Sequence, residues 1–315
     1  MIKLFWRRLA LAAGLVAVAS ALTFALIASA PGNAANFLAE RAAGPKATHE
    51  LVEKIERDLG LNDPLYVRYG RWVENAMQGQ WGDSLRTGRP VTEEFAQRLP
   101  TTVRLLVGGG VIAFFMPLIL GVAGAMSNGG LLDRTLRGLA LVGASAPNFF
   151  VGALLVLVFS VKLHWLPSFG TAGLLSWVMP WLTVGLFPTC VLSRVVRVTL
   201  QELMSRPFTT TGFAKGYGRG GVLLREALPN LAVPFLTTFG AQFALMIIGA
   251  VVVETVFAWQ GIGSFFIDAI RFRDFPAMQA ILMTFVVFFV SVNFAVDMAC
   301  MLIDPRIRRS QVASA

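Results

Sequence analysis

Six stretches of the chain run for about 20 residues or more with almost no charge: Leu9 to Ala30, Thr102 to Met126, Arg137 to Val161, Leu174 to Arg194, Leu231 to Val253 and Met278 to Ile303. A helix of about 20 apolar residues spans the roughly 30 Å hydrocarbon core of a bilayer. The pattern therefore predicts six membrane helices and an all-α polytopic protein. Lys3, Arg7 and Arg8 ahead of the first run, and Ala28-Ser29-Ala30 at its end, also fit a cleavable secretory signal. That run is longer than a usual signal core and Pro31 follows the cleavage position, so the expectation is an uncleaved anchor helix.

Composition agrees with the pattern. Of 315 residues 56% are apolar and 14% charged, against about 25% charged in soluble chains. The formal net charge of +9 is unevenly placed. Lys3, Arg7 and Arg8, the loop with Arg134 and Arg137, the stretch with Arg194, Arg197, Arg206, Lys215, Arg219 and Arg225, and the tail with Arg306, Arg308 and Arg309 fall on one side of six alternating helices. By the positive-inside rule that side, with both termini, is cytoplasmic. The other side carries residues 31–100, where nine basic residues meet ten acidic ones. The excess suits a lipid surface, and with no basic helix or aromatic stripe no nucleic-acid partner is expected.

In that outer region Leu51, Ile55 and Leu59 recur at four-residue steps, predicting a short amphipathic helix closed by Gly60. Tyr69, Trp72 and Trp81 are expected in one small cap packed at the membrane interface. Within the spans, Pro117, Pro147, Pro180, Pro188 and Pro234 can kink helices, and Gly121 with Ala125, Ala140 with Ala144, and Gly240 with Ala244 permit close helix contact. Cys190 and Cys300 lie in apolar runs and read as buried free thiols, and His49 and His164 have no ligand cluster beside them, so no metal site is expected.

The most informative polar segment follows the fourth span: Ser205-Arg206-Pro207-Phe208-Thr209-Thr210-Thr211-Gly212-Phe213-Ala214-Lys215-Gly216-Tyr217-Gly218-Arg219-Gly220-Gly221, then Val222 to Pro229. Pro207 can open a short helix, the glycines can stop it, and Val222 to Leu228 restarts a helix expected to end near Pro229. Such a short helix across the cytoplasmic face is suited to a groove on a partner. The glycines match G-x-G-x-x-G formally, but no strand precedes them, and no G-x-x-x-x-G-K-[ST] occurs in the chain. ATP is therefore not bound by a Walker loop here, and if the chain takes part in active transport the energy has to come from another subunit or an ion gradient.

These residues resemble the coupling loop of ATP-binding-cassette (ABC) importer permeases. Thr211-Gly212-Phe213-Ala214-Lys215-Gly216 is similar to the Thr-Ala-Arg-Ala-Lys-Gly of the dipeptide, oligopeptide and nickel branch, with Leu228-Pro229 at the matching distance; Thr210 replaces the signature's Glu and Phe213 the branch's Arg. Val252 to Gly263, Arg273-Asp274-Phe275-Pro276, Asp304-Pro305-Arg306-Ile307-Arg308, Asp58-Leu59-Gly60-Leu61, Pro64-Leu65-Tyr66, Trp81-Gly82-Asp83-Ser84 and Trp165-Leu166-Pro167 look like the same branch. The likeness covers nearly the whole chain and points to the first of its two permease subunits.

The resemblance implies a type I ABC importer permease fold with six membrane helices and a periplasmic insertion between the first two. Residues 1–30 would be the N-terminal membrane helix, 31–100 the periplasmic cap, 101–303 the transmembrane domain with its coupling loop at about 203–229, and 304–315 a cytoplasmic tail. It implies a bacterial inner-membrane subunit that is not itself an enzyme and carries no cofactor or metal. ATP and Mg would be bound by two partner ATPases, alongside a second homologous permease and an extracytoplasmic binding protein. The cargo expected is di- or oligopeptides, with nickel or a metal chelate as the alternative and ion-coupled transport less favoured. Thr211, Gly212, Ala214, Lys215, Gly216, Leu228 and Pro229 would form the ATPase contact. Asn148 is a candidate pathway group. Glu254 would gate or contact cargo, or else pair with Arg271 or Arg273, because charge within a membrane is costly unless it serves a role. Asp297, about 10 Å from the cytoplasmic end by helical rise, is expected to snorkel or pair with an arginine.

Overall fold

The computed structural model describes residues 2–29, 35, 38, 39, 43, 44, 48–58, 60–127, 129–170 and 173–303. Ala30, Pro31, Leu59 and the basic tail from Asp304 lie outside them, as does the side chain of Lys3. The main helices are α1 (Ile2–Ala28), α2 (His49–Asp58), α3 (Leu65–Met77), α4 (Val91–Ser127), α5 (Leu131–Ser145), α6 (Asn148–Lys162), α7 (Leu175–Met204), α8 (Pro207–Ala214), α9 (Arg219–Val256), α10 (Ile262–Arg271) and α11 (Phe275–Ile303). Among the described residues there is no strand beyond one isolated bridge between Asp83 and Pro90.

Among the described residues five helices are long and apolar enough to cross a membrane, namely Phe5–Ala28 of α1, α4, α7, α9 and α11. The predicted third span is not one straight helix: α5 and α6 meet the test only as a pair, bent by 108°. The cause is local. The Pro147 ring disfavours helical geometry in the residue before it, and Ala146 is extended at φ −79°, ψ 126°. Arg134 and Arg137, expected in a loop, sit on α5.

The expected helix end near Pro229 is likewise corrected, since α9 runs unbroken from Arg219 to Val256. Leu223–Ala227 forms a π-turn just upstream, and Pro229 sits in the first turn of the α-helical stretch that follows. The wider turn absorbs the missing proline donor without breaking the helix.

The chain divides into two compact units. One comprises residues 1–9, 102–259 and 291–315. In it Leu192, Val196 and Leu200 of α7 pack with Leu223, Ala227, Leu231 and Phe235 of α9 and Ala125 of α4. Close approach is set by glycine: a Cβ on Gly121 would strike Val196, and one on Gly240 would strike Val296. Asp133 on α5 is fully buried and held bidentately by Arg197 of α7, with Nη2 to Oδ2 at 2.8 Å. That pair neutralises Arg197, which lies within α7 beyond the end of its apolar run. Arg8 pairs with Asp297, as expected for that carboxylate. Cys190 and Cys300 are free and buried.

The other unit comprises residues 10–101 and 260–290. Its core joins Val91 to Ile262, Phe265, Ala269, Ala277, Ala280 and Ile281, with Trp81 and Phe95 packed against it. Tyr69 and Trp72 stack on each other and meet Phe24 of α1. The three aromatics expected in one cap therefore serve two clusters. Two segments far apart in sequence converge here: the buried Asp274 carboxylate accepts from Ser84 Oγ at 2.5 Å, from the Leu85 and Arg86 amides at 3.1 and 3.4 Å, and from the Ala277 amide at 3.3 Å. Arg86 also pairs with Asp268 at 3.0 Å.

Asp274→Ala strands several buried donors at once, whereas Ser84→Ala removes one. The expected losses are about 3 kcal/mol and about 1 kcal/mol respectively, read from thermal unfolding of the detergent-solubilised protein. Equal effects would contradict a carboxylate-centred clamp.

Candidate functional site

The polar segment after α7 is built by local signals. Arg206 is extended, Pro207 takes the first helical position where its missing donor is harmless, and Thr209 Oγ1 donates to the Arg206 and Met204 carbonyls at 2.6 and 3.1 Å. The far end of α8 closes on Gly216 at φ +85°. Its amide bonds Phe213 O at 2.9 Å, and the Tyr217 amide bonds Gly212 O at 3.2 Å. These are the two bonds of a Schellman stop, which needs the left-handed residue that glycine supplies most readily. The glycine at that position is thus fixed by backbone geometry within this chain.

The helix has two faces. Thr209 and Gly212 are buried, and a Cβ on Gly212 would stand 3.3 Å from Val222 and 3.4 Å from Glu226 of α9. Gly212 therefore spends its small size on packing α8 against α9. Thr210, Thr211, Phe213, Ala214, Lys215 and Gly216 are exposed, Phe213 at 44%. Arg225 covers the Tyr217 ring at 4.7 Å, Leu228 packs on the α7–α9 core, and Pro229 is exposed.

Asn148 and Glu254 are not brought to this segment. Glu254, near the far end of α9, is fully buried and accepts from Thr102 Oγ1 at 2.5 Å. Asn148 opens α6 at the bend and lines a cavity of ≈ 550 Å³ walled by α5, α6, α7 and α9. Its Nδ2 lies against Gly249, where a Cβ would come within 2.8 Å. Sequence reasoning missed Gln242 in the same cavity wall, because one amide in an apolar run leaves no pattern; it also missed the Asp133–Arg197 pair, whose halves lie 64 residues apart.

Comparisons with known proteins match most of the chain. Residues 117–309 match the family described as binding-protein-dependent transport system inner membrane component, and residues 1–106 match its N-terminal region. The chain is 37% identical over 310 residues to the Probable peptide ABC transporter permease protein y4tP of Sinorhizobium fredii, covering 96% of this chain and 98% of that one. It is 34% identical over 291 residues to the Glutathione transport system permease protein GsiC of Escherichia coli strain K12, covering 92% and 94%. Among solved structures, an inward-facing MetNI methionine ABC transporter shares the fold at a TM-score of 0.56 and 15% identity, covering 67% of this chain and 96% of that one. With helices of membrane-crossing length and both family regions present, the chain belongs to the binding-protein-dependent transport system inner membrane components, the membrane permease subunits of ABC transporters.

Proposed function

We propose that this chain is a permease subunit of an ATP-driven importer that moves peptides, glutathione-like tripeptides included, across the bacterial inner membrane. The relatives at 34–37% identity over more than nine-tenths of the chain support that cargo class and do not favour nickel. The chain itself does no chemistry in this reading; ATP and Mg sit on two partner ATPases, a binding protein delivers cargo, and a second, homologous permease completes the pathway. The α5–α6 pair counts as one crossing, giving six, with both termini cytoplasmic and residues 31–100 forming the periplasmic insertion.

The observation that carries the coupling role is the division of α8 into a buried face on α9 and an exposed face of Thr210, Thr211, Phe213, Ala214, Lys215 and Gly216. An ATPase gripping the outer face pushes on α9 through Gly212. At about 1.5 Å per residue, α9 is a rod of roughly 57 Å that leads past the cavity to Glu254. Motion of the ATPases thus becomes rigid-body movement of the bundle, the shear and hinge mode of packed helices. Lys215 offers its ammonium to an acidic group of the ATPase, and Leu228 and Pro229 fix the return into α9.

Gly216→Val forces a β-branched residue into a left-handed position, a strain of about 1–3 kcal/mol confined to the end of α8. The expected outcome is an inserted, assembled transporter whose ATP hydrolysis continues while peptide uptake into proteoliposomes falls at least about tenfold; unchanged uptake contradicts the coupling role. The wild-type complex is expected to take up peptide only with ATP inside the nucleotide-accessible compartment. Full uptake by this chain alone, without ATP, contradicts the importer reading.

A further inference from the structure

Charge is out of balance at one place on the surface of the larger unit. Asp133 of α5 is held bidentately by Arg197 of α7, and Arg137, one turn along α5, reaches the same carboxylate at 3.5 Å. Arg134 of α5 and Arg194 of α7 are exposed and have no acidic partner among the described residues. Four arginines thus share one carboxylate, whereas Arg8 and Arg206 each have a carboxylate of their own in Asp297 and Glu202.

The surplus cations lie at one level. The helices α5 and α7 run antiparallel, since Asp133 meets Arg197 while a Cβ on Gly143 would strike Cys190. One turn up α5 from Asp133 is Arg137, and one turn back along α7 from Arg197 is Arg194; at about 1.5 Å per residue both stand roughly 5 Å from the ion pair in the same direction. The apolar run of α7 ends at Arg194, so this level is the edge of the hydrocarbon. Beside the cations the surface is apolar. Leu131, three residues before Arg134, and Leu141, four after Arg137, share their face of α5 and are exposed at 78% and 68%.

Unpaired guanidinium groups at the end of an exposed leucine face match the two halves of a phospholipid. The acyl chains cover the leucines, and the planar guanidinium fork takes phosphate oxygens in pairs. An acidic protein surface would answer the charge and leave the leucines uncovered. We propose that the exposed side of the α5–α7 seam binds the headgroup of an anionic phospholipid, with Arg137 and Arg194 on its phosphate and Arg134 at the rim. A zwitterionic headgroup carries the same phosphate together with an ammonium, so the excess positive charge selects the anionic lipid. Nothing in this inference depends on the cargo, and it stands apart from the peptide reading above.

The test uses the assembled transporter in phosphatidylcholine vesicles, with Leu141→Cys labelled by a bimane fluorophore; the native thiols Cys190 and Cys300 are buried. Quenching by a small admixture of acyl-brominated phosphatidylglycerol is compared with quenching by the same content of brominated phosphatidylcholine. The anionic lipid is expected to quench more, and its preference to fall about fivefold in each of Arg137→Gln and Arg194→Gln. Arg7→Gln, which removes an exposed arginine of α1, is expected to leave the preference unchanged. Equal quenching by the two lipids, or an equal loss of preference in Arg7→Gln, overturns the proposal. Should the glutamine variants fail to assemble, a photoreactive residue at Leu141 in the otherwise native chain serves instead. Adducts with phosphatidylglycerol beyond its share of the bilayer support the proposal. Lipid adducts in bulk proportion, or adducts with an ATPase or the second permease alone, overturn it.

Discussion

In hydrocarbon no water is available to a backbone amide, so every N–H and C=O of a crossing segment has to be satisfied within the chain, and the continuous helix is the economical answer. The long runs of α1, α4, α7, α9 and α11 obey that constraint. The interest lies where helicity is broken or bent, because each such place needs a specific remedy. At Ala146-Pro147 the chain turns by 108° and opens a cavity with polar amides on its wall. At Pro229 a π-turn keeps α9 whole. At Gly216 a left-handed residue stops α8 and turns the chain back toward α9.

These remedies lie along one continuous series of packed helices within the larger unit. Gly212 lets α8 lie on Val222 and Glu226, and the unbroken α9 carries that contact past Gln242 and Gly249 to the buried Glu254. Along the way α9 is packed on α7 through Leu192, Val196 and Phe235, and α7 is tied to α5 by the Asp133–Arg197 pair. A buried ion pair of this kind is better at fixing which helix faces which than at adding stability. The buried face of α8 is thus joined to the cavity walls through a continuous series of packed helices.

Much of this fold is legible from the spacing of apolar runs. The helices run past the predicted spans, α4 and α9 at both ends and α7 at its C-terminal end, because charge terminates hydropathy without terminating a helix: Arg197 sits well inside α7 once Asp133 neutralises it. The bend at Pro147 was readable as a possible kink, but its magnitude depends on how the two arms pack. The short helix from Pro207 and its stop at Gly216 were visible in proline and glycine chemistry. Which face of α8 is buried was not, since Thr209, Thr210 and Thr211 are alike in sequence and only packing on α9 separates them. Long-range partners such as Ser84 with Asp274, and the lone Gln242, carry no local signal, and tertiary structure alone reveals them.

The central claim is that the outer face of α8 is the surface through which the ATPases drive this subunit. Its most direct test is site-specific photocrosslinking in the assembled transporter, with the photoreactive residue placed in turn at Phe213 and Lys215 on the exposed face and at Thr209 on the buried one. Crosslinks to the ATPase are expected from positions 213 and 215 and none from 209. Crosslinks to the ATPase from 209 alone, or from none of the three, would contradict it.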